Sequence, residues 1–373
     1  MKGARALLLA ALVMLLFAPS ACAQGLEDVV DGLDLSAWQE EADESGLLTD
    51  VRQTIIDLCV EPDPIDWDAL GERALAQVRQ ALAFVPRALL CLVGPALLCA
   101  LNRRFLSGEL AGAAQLVCLL GEAQALLALF LGELASARAA VERVGRLSDQ
   151  VYPVLLTLLS MTGGSAAVGL MRPIYAFLSG ALSSVMYRSA FLLASCAAAL
   201  AVAGRLSPAV RLGSLLKLLR STCGYLTGAC MTAFLAMLTA GGLLGASRDG
   251  VSIRAAKYAI DSLLPVVGGE VAGAMDAVVL SASVVKNAAG ITGLVLLLGV
   301  CLTPIVRLIA CVLVCRLSAA LVEPLHAGEI SACLEDFAGV LQLLLIALCA
   351  CAVLFVILVG SALRAGTLVF ALR

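Results

Sequence analysis

The chain has 373 residues, 61% of them hydrophobic and 14% charged, with a mean hydropathy of +1.01 and a formal net charge of −3. A soluble domain is nearer half apolar and a quarter charged, so an ordinary soluble globule is excluded. The apolar excess comes in long Leu/Ala-rich blocks without two-residue alternation. Helices satisfy their own backbone in lipid, so the expected class is all-α, a polytopic helical membrane protein.

In chain order, residues 1–23 read as a signal peptide. Lys2 and Arg5 are its basic start, Ala6 to Ala18 its apolar core, and Ala21-Cys22-Ala23 a small-x-small cleavage site. A lipoprotein alternative would acylate Cys22, but Pro19 stands three residues before it, where an aliphatic residue is usual. Residues 24–83 form an acidic segment, expected outside the cytoplasm. Residues 24–75 alone hold 15 Asp or Glu against Arg52 and Arg73, a net charge of −13, whereas the chain from Ala76 onward carries +8. Leu48, Val51, Ile55 and Leu58 recur at helical spacing, as do Trp67, Leu70, Ala74 and Val78. Two or three short amphipathic helices are expected there, one leading into the first span.

The polytopic body covers 84–364, with a tail at 365–373. Its blocks are Phe84–Leu101, Leu110–Gly132, Val151–Met171, Ile174–Tyr187, Ser189–Gly204, Cys223–Ala246, Ala289–Val306 and Ala338–Leu363. They predict about seven to nine membrane segments, with a kinked or re-entrant passage around Arg188. Ala289–Val306 would rise roughly 27 Å, with Arg307 snorkelling from its end. Ala137–Gln150 and Arg205–Arg220 read as amphipathic connectors. The second holds four basic residues and no acid, which places it on the cytoplasmic face.

The stretch Leu264–Val279 threads Pro265, Gly268, Gly269, Glu270, Gly273 and Asp276 through an apolar run. If Ser262–Val285 is an external loop, the acidic connection Leu321–Asp336 falls on the same side as Arg205–Arg220. If it crosses, that connection lies opposite and the basic tail inside. The positive-inside rule favours the crossing, as a broken helix. Carboxylates in such a place face a bundle interior, a wet cavity or a partner. Glu270, Asp276, Lys286 and Asn287 are therefore candidates for a polar path or an inter-subunit contact. Pro265, Gly268, Gly269 and Gly273 are candidates for a helix break and close packing, and Gly163-Gly164 for a similar break. Gly224-x-x-x-Gly228 and Gly241-x-x-x-Gly245 offer further close-packing faces.

Chemistry has little to stand on. The 14 cysteines lie mostly in apolar runs and no C-x-x-C occurs; the single histidine, His326, sits in a polar connection. There is no P-loop, zinc motif or dinucleotide fingerprint, so no catalytic residue, cofactor or metal is assigned and no enzyme is expected.

The residues Asp249-Gly250-Val251, Arg254, Lys257, Pro265-Val266-Val267-Gly268-Gly269 and Lys286-Asn287-Ala288, within Ser247–Leu294, resemble the core of the stage III sporulation protein AE family. Pro153–Ala167 and Glu323-Pro324 fit it as well, and the resemblance runs from about Asp66 to Gly360. It implies a non-enzymatic membrane subunit of a secretion-like channel complex that links mother cell and forespore and sustains forespore development. It further implies the mother-cell-derived membrane as location and the intermembrane space for the acidic head. The implied partners are the lipid bilayer and the other complex subunits, among them an ATPase and a forespore membrane protein. Further copies of the chain are compatible with it, and nucleic acid is not implied. The alternative is a stand-alone secondary transporter, a permease with its substrate site at the broken helix.

Overall fold

The computed structural model describes residues 29–60, 66–105, 109–162, 168–169, 171–173, 175, 188–206, 212–263, 268–325 and 328–371. Within these segments, side-chain positions are described outside 100, 102–111, 238, 240–278 and 365–371. Among the described residues there is no strand, and nine helices of ten residues or more follow one another. They are α1 Ser36–Ser45, α2 Val51–Val60, α3 Trp67–Leu82, α4 Val85–Phe105, α5 Glu109–Met161, α6 Phe191–Leu206, α7 Gly213–Leu263, α8 Gly268–Val322 and α9 Gly328–Ala371. The chain is an all-α membrane protein. Among the described residues, five helical stretches are long and apolar enough to cross a bilayer: Trp67–Cys99, Gly112–Met161, Arg188–Arg205, Val279–Val322 and Gly328–Arg364. Ile174–Tyr187 lies almost wholly outside the described residues, as do Gly163, Gly164 and Pro265.

Local chemistry sets the short helices. The Asp66 carboxylate accepts from the Ala69 amide at 3.0 Å and caps α3, while Asp68 in the first turn and Arg79 in the last suit the helix dipole. Pro86 falls in the first turn of α4, where its missing N–H breaks no helical bond.

The long helices differ from the expected punctuation. Helix α5 runs unbroken through Ala137–Gln150, so that stretch is the middle of a rod rising about 80 Å, not a connector between two spans. Its apolar stripe, including Val141, Val144 and Leu147, is buried, which removes any reason to lie on a membrane surface. Helix α8 likewise runs past Val306 to Val322, so Arg307 sits inside it. Gly268 and Gly269 open α8, four residues after α7 ends at Leu263, and Gly273 lies within it.

Contacts fix the directions. Phe130 and Tyr152 of α5 meet Phe337 and Phe355 of α9, so these two helices are parallel. Helix α8 opposes both, with Lys286 beside Leu363 at one end and the 3-10 turn Glu323–Leu325 leading towards α9 at the other. Helix α7 runs with α9, since Arg220 reaches Asp336 and Cys230 lies within electrostatic reach of Cys351. Helices α7 and α8 are therefore antiparallel. The helix break expected around Pro265 falls at 264–267, outside the described residues. Asp336 pairs with both Arg205 and Arg220, so the connection Leu321–Asp336 lies at the same end of the bundle as the basic stretch Arg205–Arg220. The ion pairs outweigh the charge count over loops that favoured the opposite arrangement.

The acidic head is part of the body. Trp38, Ala42, Val51 and Ile55 are buried in one core with α5, α8 and α9, because each short helix has an apolar face too small to bury by itself. A Cβ built on Gly299 of α8 would fall 2.8 Å from the Ser45 Cβ and 3.0 Å from Leu47 Cδ1, so this glycine is what lets the head sit down. A second close approach is at Gly290, where Leu363 of α9 fills the space a side chain would need. No atom of this chain lies within 4 Å of a Cβ built on Gly224 or Gly228.

Candidate functional site

Lys286 is the one sequence candidate whose polar contacts are described. It is fully buried between α8 and α9, and its ammonium donates to the Leu363 carbonyl at 3.0 Å and the Ala362 carbonyl at 3.4 Å. These bonds are within the chain, to the neighbouring helix. Gly290, one turn on, gives Leu363 its room, so the lysine and the glycine together lock the C-terminal part of α9 onto α8. Asn287 is half-buried. Glu270 and Asp276 lie on α8, and their side chains fall outside the described positions. At 100° per residue, Asp276 stands about 80° and Glu270 about 160° around the helix from Lys286, so one face does not carry all three.

The structure assembles other polar groups that sequence reasoning did not join. Glu133 of α5, 3% exposed, takes a hydrogen bond of 2.8 Å from Arg307 of α8. The same guanidinium stands 5.2 Å from the Phe84 ring centroid, in cation–π contact. Arg307 is thus a half-exposed cross-tie to a buried acid and not a helix end. Glu41 of the head is also buried, held by Arg143 at 2.9 Å and Arg146 at 3.3 Å on α5. Asp336 of α9 takes Arg205 at 2.7 Å and Arg220 at 3.4 Å. For the buried acids Glu133 and Glu41, removing the arginine costs roughly 3–5 kcal/mol, because it strands the remaining charge. Three cross-ties therefore hold the head, α5, α8, α9 and the α6–α7 end in register.

One open cavity of about 560 Å³ lies at the C-terminal end of α5, lined by Asp149, Tyr152, Thr157, Ser160, Arg172 and Tyr175 among others. Tyr152 and Tyr175 stack there with ring centroids 4.9 Å apart, and the Tyr175 hydroxyl lies 3.3 Å from Ser361 Oγ. Among the described residues no three His, Cys, Asp or Glu side chains converge as metal ligands. Burial pushes the Cys59 thiol of the head up to about 11, which leaves it protonated and a poor nucleophile.

The family described as Stage III sporulation protein AE matches residues 66–366. The chain belongs to that family. The match begins where Asp66 caps α3 and runs through most of α9, so the whole helical body is family structure and α1 and α2 lie outside it. The stage III sporulation protein AE of Bacillus subtilis (strain 168) is 24% identical over 223 residues, 60% of this chain. The aligned part spans 56% of that relative's own length. No solved structure matches the chain. Membership places the protein's role in sporulation and agrees with a helical membrane body.

The missed residues left a faint signal in the sequence. Glu122 and Glu133 are eleven residues apart, which puts them within about 20° of each other on one face of a helix. Nothing in one sequence says which helix that face meets, so Arg307 could not be assigned to Glu133, nor Asp336 to Arg205 and Arg220.

Proposed function

We propose that this chain is a non-enzymatic membrane subunit of a trans-envelope channel complex that connects mother cell and forespore. The carrying observation is the family match over 66–366, which takes in every long helix of the body. In this reading the protein resides in the mother-cell-derived membrane around the forespore. Its head faces the intermembrane space, and it works with other subunits, an ATPase and a forespore membrane partner among them. The internal ties support an architectural role. Lys286, Glu133, Asp336 and Glu41 each bond to a neighbouring element, and the result is a braced scaffold.

The test is localisation and company. A C-terminal fluorescent tag in the native host should appear only during sporulation and concentrate around the engulfed forespore. Mild detergent extraction should then bring down further membrane proteins and an ATPase. Uniform signal in growing cells, with transport activity by the purified chain alone, would replace this reading with that of a stand-alone transporter.

A further inference from the structure

Glu122 lies in the apolar first half of α5, where that helix meets α8 and α9. It is fully buried, and neither carboxyl oxygen has a hydrogen-bond partner. The other buried acids described above all have cations: Glu133 has Arg307 and Glu41 has Arg143.

Among the described residues, the groups that face it are not cationic. From α8 the Cys315 thiol lies within electrostatic reach, and from α9 the Cys333 thiol does. Ser318, one turn beyond Cys315, is buried with its hydroxyl also unpartnered. Helix α4 packs on α5 with Leu92, Ala96 and the Cys99 thiol on its buried face, and it holds no charge between Arg87 and Arg103. Past Cys333 come Arg205 of α6 and Asp336, already paired with each other and, through Asp336, with Arg220 of α7. Up α5 itself, Glu133 occupies Arg307, and the head joins α5 only further on, at Arg143 and Arg146.

An ionised carboxylate with both oxygens bare in such surroundings is far costlier than a neutral acid, which carries no net charge and leaves one O–H donor to satisfy. We propose that Glu122 is a proton-binding site inside the membrane body, neutral while α5, α8 and α9 are closed together. Opening that seam lets water reach the carboxyl. The O–H bond then breaks, the proton passes to water, and the electron pair stays on the carboxylate. The site takes a proton where its neighbour Glu133 takes a guanidinium, and it stands independently of the channel reading.

Dicyclohexylcarbodiimide tests it, because this apolar reagent adds to protonated carboxyls in dry surroundings and leaves a stable N-acylurea. The full-length protein in nanodiscs is treated across a pH series, and the adducts are located by peptide mass mapping. Glu122 should carry the adduct, and labelling should fall as pH rises. Glu133 should stay unmodified, and Glu122→Gln should lose the adduct at that peptide only. A water-soluble carbodiimide should modify exposed head acids and leave Glu122 untouched. The proposal is overturned if Glu122 remains unlabelled by the apolar reagent at every pH while head acids react with the soluble one. Labelling that sodium ions suppress at constant pH would also overturn it, in favour of a metal cation.

Discussion

Helices α5 and α9 lie side by side and run the same way, yet their outward faces change character in opposite order. On α5 the exposed side chains begin as Leu116, Val117, Leu120, Leu127 and Leu131, then become Glu142, Arg146, Asp149, Thr157 and Ser160. On α9 they begin as Glu329, Glu335 and Gln342, then become Ile346, Val353 and Val356. Helix α8, opposed to both, adds Ile309, Leu313, Leu317 and Leu321 to the first apolar belt. The Glu133–Arg307 pair marks where the α5 face turns polar. A rod's average hydropathy therefore says little about where lipid touches it. A bilayer core about 30 Å thick reaches both belts only if the bundle axis leans.

The largest effect should come at the boundary. Arg307→Ala leaves Glu133 buried and uncompensated, and should cost roughly 3–5 kcal/mol in thermal unfolding in detergent. Replacing Glu133 by Gln in the same protein should recover part of that loss. Next is the contrast between the halves of α5. Leu120→Arg puts a cation where lipid is expected and should cost about 2.5–3.5 kcal/mol in insertion, read as lost membrane yield. Glu142→Arg, on the polar half, should leave yield unchanged; equal losses would erase the distinction. Gly299→Ala comes third, because its methyl group meets Ser45 and Leu47. Overpacking of this kind costs about 1–3 kcal/mol, and limited proteolysis should cut between α1 and α2 sooner.

The smallest effect concerns pH. The Ser36 hydroxyl, at 2.6 Å, and then the Ser36 amide hold the exposed Asp34 carboxyl below its usual range. A depressed carboxylate stabilises the fold above its unfolded pKa, and that contribution fades as pH falls through the folded value. Ser36→Ala should raise the Asp34 midpoint in a carboxyl NMR titration.

The all-α membrane class was legible because it rests on composition and block length, which are local. The head helices were legible too, since Val51 and Ile55 keep helical spacing, as do Trp67 and Leu70. Helix ends were harder. Ala137–Gln150 holds Arg138, Glu142, Arg143 and Arg146, which resembles a connector until Glu41 is known to cover it. Arg307 resembled a helix end for the same reason, as its partner is 174 residues away. Lys286 could be named from its type and setting, but its carbonyl partners on α9 could not. The ledger of charges over loops failed because an ion pair across helices overrides an average over segments.

The seat of the head on Gly299 also sets a schedule for biosynthesis. Glu41 finds Arg143 only 102 residues further along, and Ser45 must wait for Gly299. At about 5–20 residues per second, the ribosome needs roughly 10–50 s to deliver that glycine after the head has been made. Through that interval Trp38, Val51 and Ile55 lack the α8 surface that completes their burial, so a part of the chain that is synthesised early is among the last to settle.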